Sequence, residues 1–282
     1  MRVGILILSH GRADNVKTWA LLDKRRSNLE RKIVVDDEDE QLDEYRKRFG
    51  DNVIVFSKSN YMAKSDTFAP RSDRPRGIVL PARNACPDIA AALGWDYFIE
   101  LDDDYDNIDT RYIDGGKLKG RNLENVDDAF TEMAKFLEKS GTDVIALAQG
   151  GDFIGGAKST GATTVFMRKM MNVYCFRTST DIRFYGYLNE DLTASVVHGM
   201  RGDLILTYTK KEIHQTKTQE AKGGLTEEYC RNGTYAKSMC SVIAAPSCVS
   251  IRMMGDGHYR MHHNVRWRNA AVKVIRGAWK KQ

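Results

Sequence analysis

The chain has 282 residues and a formal net charge of +5, and 42% of its residues are hydrophobic and 29% are charged. This composition is that of a globular protein and excludes collagen-like, mucin-like and wholly disordered chains. No apolar run approaches the roughly 18 residues that a membrane-spanning helix needs, and the five cysteines include no C-x-x-C pair. We therefore expect a cytoplasmic protein that has no secretory signal, disulfide framework or thiolate zinc site.

The first half of the chain alternates predicted strands and helices. Aliphatic runs at residues 3–8, 32–35 and 53–56 predict strands, and helices are expected between them at residues 15–22 and 40–48. Short helical crossovers return successive strands in parallel. We therefore expect a parallel, Rossmann-like sheet that binds its ligands at the carboxyl ends of the strands.

A long segment, a helix and a fourth strand follow. Residues 57–77 show no periodicity, and long loops in compact domains are usually functional or mobile. Residues 81–93 predict a helix that Pro87 kinks or delays, and residues 95–101 predict the strand. The long segment contains three arginines: Arg71, Arg74 and Arg76.

Beyond the fourth strand the pattern is mixed. Residues 130–137 predict a helix and residues 144–147 a strand, and the glycine-rich stretch that follows predicts antiparallel hairpins as far as residue 176. The last expected elements are a helix at 190–200, a strand at 204–208, a helix at 228–240 and a basic amphipathic helix at 268–279.

Three consecutive carboxylates, Asp102, Asp103 and Asp104, follow the fourth strand. Like charges packed together repel unless a cation neutralises them, and carboxylate oxygens are the ligands that Mg²⁺ and Mn²⁺ prefer. Because neighbouring residues alternate in direction, Asp102 and Asp104 can face one cation while Asp103 points elsewhere. A metal held by two carboxylates keeps positions open for substrate phosphates, whereas the alternative interpretation is an acidic turn without a metal.

The order of these motifs resembles the GT-A glycosyltransferases. A first strand ending in Ser9-His10-Gly11-Arg12, a second ending in Asp36, a helix opened by Ala82-Arg83-Asn84-Ala85 and the Asp-x-Asp pair carry the resemblance, which spans residues 3–235. It implies a nucleotide-diphosphate sugar donor, for which a UDP-sugar is expected, and Mn²⁺ or Mg²⁺ at Asp102 and Asp104. No G-x-G-x-x-G follows the first strand, which argues against a dinucleotide-binding enzyme. The donor contacts implied are Ser9, His10, Arg12, Asp36, Arg83, Asn84, Asp102 and Asp103.

Two later features match the same family. Asn189-Glu190-Asp191 begins a predicted helix, where GT-A enzymes often carry an acidic pair that touches the acceptor. The resemblance implies Asp191, and Glu190 as second choice, as the catalytic base that accepts the proton of the acceptor hydroxyl. The alternative is that these acids only stabilise a helix N-terminus. His214 lies where the family often places a third metal ligand, although a lone histidine is otherwise structural or exposed.

Basic residues concentrate at the C-terminus. Residues 252–281 contain eight Lys or Arg and one Asp, a net charge of +7, so the rest of the chain carries −2. This charge favours an anionic partner, unless it is only the solvated face of a helix. Lys and Arg provide phosphate contacts to DNA, and Tyr259, Trp267 and Trp279 supply rings that stack on bases. The expected DNA contacts are Arg71, Arg74, Arg76, Arg266, Arg268, Lys273 and Arg276.

Within the GT-A enzymes, the chain resembles the TET-associated, bacteriophage-type glycosyltransferases, whose members attach sugars to hydroxymethylated pyrimidines in DNA. The motifs above, with Gly223-Gly224-Leu225 and Tyr235-Ala236-Lys237-Ser238, carry this resemblance. It implies 5-hydroxymethylcytosine in double-stranded phage DNA as acceptor, reached by extruding the base. We expect a GT-A domain at 1–250, with a nucleotide-sugar half at 1–106 and an acceptor half at 107–250, and a basic helical extension at 251–282.

Other functions remain open at this point. A glycosyltransferase with a lipid-linked or surface-glycan acceptor would place the basic amphipathic helix on an anionic membrane. A nucleotidyltransferase would need a glycine-rich phosphate loop, and the first strand is followed by a single glycine. A binding module without catalysis does not account for the acidic triplet and the Asn-Glu-Asp motif.

Overall fold

The structure is a computed structural model that describes residues 1–68, 78–215, 234–255 and 259–274. Within these ranges, nine strands form one mixed sheet in the spatial order third, second, first, fourth, eighth, seventh, ninth, fifth and sixth. The strands are β1 (Val3–Leu8), β2 (Glu30–Asp36), β3 (Val53–Phe56), β4 (Tyr97–Asp102), β5 (Tyr105–Asp114), β6 (Lys117–Asn122), β7 (Val144–Gln149), β8 (Tyr174–Arg177) and β9 (Ile205–Gln215).

Strands β1 to β4 form the parallel part of the sheet that the sequence predicts. β2 pairs with β1 and β3, and β1 also pairs with β4, all in parallel. Ile5 and Ile7 of β1 are buried on one face and Leu6 on the other, because helices cover both faces. The carboxyl ends of β1, β2 and β4 therefore meet at one edge. The connecting helices are α1 (Lys17–Lys24), α2 (Leu42–Phe49), α3 (Lys58–Lys64) and α4 (Leu80–Ala92), the last of which continues through Pro87.

The other half of the sheet is built around antiparallel β8. This strand pairs with β4 and β7, β7 pairs in parallel with β9, and β5 lies antiparallel between β9 and β6. Helix α5 (Val126–Ser140) covers one face; the Asn125 side chain accepts the Asp128 amide at its start, and Gly141 ends it with a φ of +72°. Phe130 and Leu137 of α5 are buried in the core that it shares with β1 and β4.

The glycine-rich stretch after β7 does not form the hairpins that we predicted. It forms two 3₁₀ turns, Gly150–Phe153 and Gly156–Lys158, and the short helix α6 (Thr160–Thr163). A Cβ atom at Gly161 would lie 2.2 Å from the carbonyl oxygen of Asp152. This glycine therefore serves a close backbone approach and not a hairpin tip. The strand β8 at the end of the stretch pairs with β7, from which the whole stretch separates it, and with β4, which is more distant in the sequence.

The last described elements form a small unit against the sheet. Leu192 and Val196 pack with Cys248, Val249 and Ala270 in a separate apolar cluster. The elements are α7 (Glu190–Arg201), α8 (Tyr235–Ala244), β10 (Val249–Met254), β11 (Arg260–Val265) and α9 (Trp267–Ala270). β10 and β11 pair antiparallel as a two-stranded sheet of their own.

The described part of the C-terminal segment is not the helical extension that we predicted. It is mostly the β10–β11 hairpin, and residues 271–274 are not helical, so α9 ends where we predicted a helix to continue. A Cβ at Gly199 of α7 would lie 2.3 Å from the Ala270 carbonyl oxygen, so the chain docks closely on α7 at this point. Tertiary packing thus overrides the helical pattern of the sequence.

Two predicted boundaries lie in the C-terminal part of the chain. The predicted division after residue 250 falls inside β10. The helix predicted at residues 228–240 is represented by α8, which begins at Tyr235, and residues 216–233 and 275–282 lie outside the described part of the chain. Across the described residues, no helix combines the length and apolar character needed to cross a membrane.

Candidate functional site

The β1–α1 loop is fastened to the end of β4 through Asp103. Ser9 Oγ donates to Asp103 Oδ2 at 2.6 Å, and Arg12 Nη1 donates to Asp103 Oδ1 at 2.8 Å. Tyr45 of α2 adds a 2.6 Å hydrogen bond between its hydroxyl and that of Ser9. Burial raises the pKa of Asp103, although Arg12 and Ser9 oppose the shift. Asp103 thus holds the loop, and the prediction that Ser9, Arg12 and Asp103 contact the donor stays a prediction.

Asp102 and Asp104 stand on either side of that buried carboxylate. Arg83 Nη2 lies 3.1 Å from Asp102 Oδ1, and the Tyr105 hydroxyl donates to Asp102 Oδ2 at 3.3 Å. Burial, followed by the negative charges of Asp102 and Asp103, raises the pKa of Asp104 to about 7. A carboxyl group in this state is stabilised in its charged form by a nearby cation. Asp102 and Asp104 offer the oxygen donors that Mg²⁺ and Mn²⁺ prefer, and the prediction that they hold the metal stays a prediction.

Arg83 is the centre of a buried ion-pair network. Its guanidinium donates to Glu100 at 2.6 Å and to Glu190 at 3.1 Å, in addition to Asp102. The rings of Tyr174 and Phe184 lie 5.2 and 5.5 Å from it. Burial raises the pKa of Glu100 to about 7 although Arg83 opposes the shift. The residue that we predicted as a donor contact thus joins the end of β4 to the start of α7.

Asn84, the neighbour of Arg83, binds the loop before α7. Its Oδ1 accepts the Phe184 amide at 2.8 Å, and its Nδ2 donates to the Phe184 carbonyl at 3.1 Å and to Ser65 Oγ at 3.0 Å. The side chain therefore fixes α4 against two loops. Its predicted contact with the donor stays a prediction.

The two carboxylates at the start of α7 have different surroundings. Glu190 is buried against Arg83, and burial raises its pKa although Arg83 opposes the shift. Asp191 accepts a 2.7 Å hydrogen bond from Lys169 Nζ, and 17% of its side chain is exposed. Burial opposes ionisation of Asp191, but Lys169 and Lys237 outweigh it and lower the pKa. Lys169 and Lys237 therefore favour the charged form of Asp191, whereas Glu190 is paired with Arg83.

The β10–β11 hairpin reaches the same helix start through His263. Asn189, which has a φ of +59°, donates from Nδ2 to His263 Nδ1 at 3.2 Å and to Ser241 Oγ at 2.5 Å. Burial, with the charges of His262, Lys169 and Lys237, lowers the pKa of His263 to about 3, so its ring is neutral. Sequence reasoning missed Lys169 and His263, because they lie 22 and 72 positions from Asp191 in segments without a motif.

A polar cavity of about 430 Å³ lies where β1 and β2 end. His10 Nδ1 donates to Asp36 Oδ2 at 2.7 Å, and Lys58 Nζ lies 3.3 Å from Asp36 Oδ1. The hydrogen bond to Asp36 raises the pKa of His10, against burial. Asp39 completes a trio with His10 and Asp36 whose ligand atoms lie within 4.8 Å of one another. Lys58 and the hydrogen bond from His10 stabilise the Asp36 carboxylate, and Glu38 and Glu40 add carboxylates to the lining of the cavity.

His214 lies in a different group from Asp102 and Asp104. Its Nε2 is 3.1 Å from Asp109 Oδ2 and 3.8 Å from Glu212 Oε2. Within the residues that the structure describes, the His, Cys, Asp or Glu trios compact enough for a metal are this one and the His10 trio. The strand register that pairs His214 with Asn107 sets this position. Its predicted role as a third ligand beside Asp102 and Asp104 thus stays a prediction that this arrangement does not support.

Three of the seven predicted DNA contacts lie in the described part of the chain. Arg266, Arg268 and Lys273 are exposed near the hairpin and α9. The four others fall outside the described residues: Arg71, Arg74, Arg76 and Arg276.

Comparison with known proteins assigns the fold and the family. The glucosyl-3-phosphoglycerate synthase from Mycobacterium tuberculosis in complex with Mg²⁺ and uridine-diphosphate is similar, with a TM-score of 0.50 and 10% identity over 94% of this chain and 87% of that chain. Mannosyl-3-phosphoglycerate synthase from Rubrobacter xylanophilus matches with a TM-score of 0.45, 11% identity and coverage of 94% and 87%. S. aureus TarS 1-349 matches with a TM-score of 0.40, 14% identity and coverage of 78% and 61%.

The first of these likenesses confirms the expected GT-A fold. No curated protein sequence matches the chain significantly. The family model described as TET-Associated Glycosyltransferase matches residues 3–224, which include the Asp102–Asp104 triplet, the Arg83 network and the start of α7. Because this match covers most of the 282 residues, the chain belongs to the TET-associated glycosyltransferase family.

Proposed function

We propose that this glycosyltransferase transfers a sugar from a nucleotide-diphosphate sugar, a UDP-sugar, to the hydroxymethyl group of 5-hydroxymethylcytosine in double-stranded DNA. The observation that carries the donor half is the pKa of Asp104, which burial and two neighbouring carboxylates raise to about 7. A divalent cation at Asp102 and Asp104 removes this electrostatic conflict. The M. tuberculosis enzyme of the same fold was solved with Mg²⁺ and UDP, which supports the assignment.

The parts of the donor site have separate tasks. When bound, Mn²⁺ or Mg²⁺ neutralises the negative charge of the diphosphate that leaves. The cavity beside His10, Asp36 and Lys58 accepts the nucleoside, because it lies at the carboxyl ends of the same parallel strands. Arg83 keeps Asp102 in place by its hydrogen bonds to Asp102, Glu100 and Glu190. These residues position the donor and take no proton.

Asp191 is the base in this proposal. The acceptor hydroxyl oxygen forms a bond to the anomeric carbon, the bond from that carbon to the diphosphate breaks with its electron pair on the diphosphate, and the hydroxyl proton passes to Asp191. Lys169 and Lys237 favour the ionised form of Asp191, which is the form that can accept a proton. Glu190 is not the first choice as the base, because it is buried and its carboxylate is paired with Arg83.

The acceptor half rests on charge and on the family. The described residues 249–255 and 259–274 contain five Lys or Arg and no acid. Such clusters bind the phosphates of nucleic acids. The family name links these enzymes to TET proteins, and oxidised methyl groups on pyrimidines offer the hydroxyl that the reaction needs.

Mass spectrometry of nucleosides tests the proposal. Duplexes with 5-hydroxymethylcytosine, 5-hydroxymethyluracil or cytosine are incubated with the protein, Mn²⁺ and a panel of UDP-sugars. We expect the mass of one sugar on 5-hydroxymethylcytosine, none on cytosine, and a large loss with Asp191→Asn but not with the exposed control Glu44→Gln. Transfer to an anionic lipid-linked acceptor with none to any duplex would contradict the proposal.

A further inference from the structure

We infer that the outer end of the β10–β11 hairpin is an arm that inserts into the acceptor DNA duplex beside the target base. This inference rests on the proposed DNA acceptor. We define the DNA arm by two arginines and four apolar residues of the hairpin: Arg252, Met253, Met254, Tyr259, Arg260 and Met261.

The hairpin is packed at one end and exposed at the other. Val249 is buried and Val265 packs on the same apolar cluster, so the inner end is anchored on α7 and α9. At the outer end, Met253 is 60% exposed and Met254 49%. Side chains of consecutive strand residues point to opposite faces. Both faces of the outer end therefore carry exposed side chains, while the Met261 carbonyl accepts a hydrogen bond from Thr234 Oγ1 at the start of α8.

Exposed apolar side chains in this number need a partner. Tyr259 is 72% exposed and Met261 pairs directly with Met253 across the two strands. Contiguous apolar surface on a projecting strand pair is an aggregation hazard unless it binds something. Methionine is unbranched and adapts its shape to the surface that it enters. The paired Met253 and Met261 share one face, and we call this pair the wedge; Met254 lies opposite Arg260 on the other face.

The charges select DNA as the partner. Arg252 and Arg260 flank the methionines, and Arg266, Arg268 and Lys273 are exposed nearer the anchored end. Cores of protein interfaces are depleted of charge, whereas DNA presents phosphates on either side of apolar base stacks. Proteins that bend or open DNA combine arginine contacts with apolar side chains placed between base steps. Met253 and Met261 on one face of the strand pair, with Arg252 and Arg260 on the other, have this composition.

The position of the arm connects it with the reaction. His263, two residues beyond Met261 on β11, receives a hydrogen bond from Asn189, and Asn189 precedes Glu190 and Asp191. A strand rises roughly 3.3 Å per residue, so Met261 lies about 7 Å along the chain from the residue that contacts the helix start. Chemistry on a base in a duplex requires its extrusion, which leaves a gap in the stack. The wedge is placed to fill that gap.

Two sets of variants test the arm. Met253→Ser/Met261→Ser removes the wedge, with the exposed strand residue Ile113→Ser as control. We expect the double variant to lose on the order of tenfold in kcat/KM on a paired target base, and far less where the base is mismatched and already easy to extrude. Donor hydrolysis without acceptor should equal that of the wild type, which shows that the fold and donor site are intact.

The second set removes charge. Arg252→Ala/Arg260→Ala should lower duplex affinity and reduce the slope of log Kd against log salt by about two, because two phosphate contacts are lost. The control Arg46→Ala/Lys47→Ala removes the same charge from exposed α2 and should leave the slope unchanged. An unchanged slope in the arm variant, or wild-type transfer by Met253→Ser/Met261→Ser on paired duplex, overturns the inference.

A partner other than DNA on the arm, or failure of the proposed function, would give different results in these experiments. A wild-type dimer that Met253→Ser/Met261→Ser dissociates, or binding of the arm to phosphatidylserine vesicles without a change in DNA affinity, also overturns it. A wild-type protein that glycosylates DNA while the arm variants behave normally contradicts the arm alone. A wild-type protein without measurable duplex affinity or transfer contradicts the proposed function as well.

Discussion

The proposed donor edge and the proposed acceptor side of the molecule are assembled in opposite ways. At the donor edge, Ser9, Asp36 and Asp102 lie at the carboxyl ends of three parallel strands that are successive neighbours in the sheet. At the acceptor side, Lys169, Asp191 and His263 come from a loop, a helix and a separate hairpin. The first arrangement follows from topology alone, whereas the second depends on how remote segments dock. Variants in the two regions should therefore fail in different ways.

The largest effect is expected at the donor edge. Asp102→Ala/Asp104→Ala should reduce transfer by roughly 10³-fold or more, because the charge of the leaving diphosphate is then unbalanced. Asp104→Asn alone should leave the unfolding temperature unchanged or raise it, since it removes a partly buried carboxylate crowded by Asp102 and Asp103. Steady-state transfer and thermal unfolding measure both, with exposed Asp106→Ala as control. Activity that survives in the double variant, or in EDTA, would contradict a metal at this edge.

Replacing the base on the acceptor side should lower kcat without loss of donor binding. Asp191→Asn should lower kcat by roughly 10² to 10⁴ while the affinity for the nucleotide sugar is nearly unchanged. Glu190→Gln should act through Arg83, so we expect a lower unfolding temperature and a smaller effect on kcat. Isothermal titration and turnover rates separate the two carboxylates. Equal kcat values for wild type and Asp191→Asn would assign the base to another group.

Arg83 is the residue that joins the two regions, so its replacement should damage both. Arg83→Met leaves Glu100, Asp102 and Glu190 without their cation, and removing one partner of a buried ion pair costs about 3–5 kcal/mol of unfolding free energy. Arg83→Lys keeps the charge but lacks the planar fork that reaches three carboxylates. Denaturant unfolding should place it between wild type and Arg83→Met. If Arg83→Met were as stable as the wild type, the network would have no structural role.

The sequence predicts the donor edge well for a physical reason. Short aliphatic runs that end in Asp36 and Asp102 define parallel strands, and parallel strands bring their carboxyl ends together. Within that edge, the partners of Arg83 were not predictable, because Glu190 lies 107 positions away. The same limit applies to His214, since a lone residue on a strand carries no information about the register that places it beside Asp109.

The C-terminal segment shows how periodicity misleads. Residues 268–279 have helical spacing of apolar residues, yet the described part of that stretch is helical only to Ala270, which docks on Gly199. In the hairpin before it, apolar and polar residues alternate from Val249 to Met253, but the consecutive polar residues 262–264 interrupt this alternation in β11. Docking on α7 supplies the burial that local pattern does not reveal. On the acceptor side, the sequence therefore predicts α7 and the basic charge but not the hairpin.

The smallest effect is expected from the pH dependence of stability at His263. Burial, with His262, Lys169 and Lys237, lowers the pKa of this ring to about 3 from its usual 6.5. Between those two values the unfolded chain binds a proton that the folded protein does not, so the unfolding free energy falls as the pH is lowered from about 6.5 toward 3. His263→Gln keeps a side chain that accepts the Asn189 hydrogen bond but cannot titrate. We expect the drop in unfolding temperature between pH 7.5 and pH 5 to be smaller in this variant than in the wild type. An identical drop would mean that His263 is protonated in the folded protein, and the contact that anchors the hairpin at the start of α7 would then be wrong.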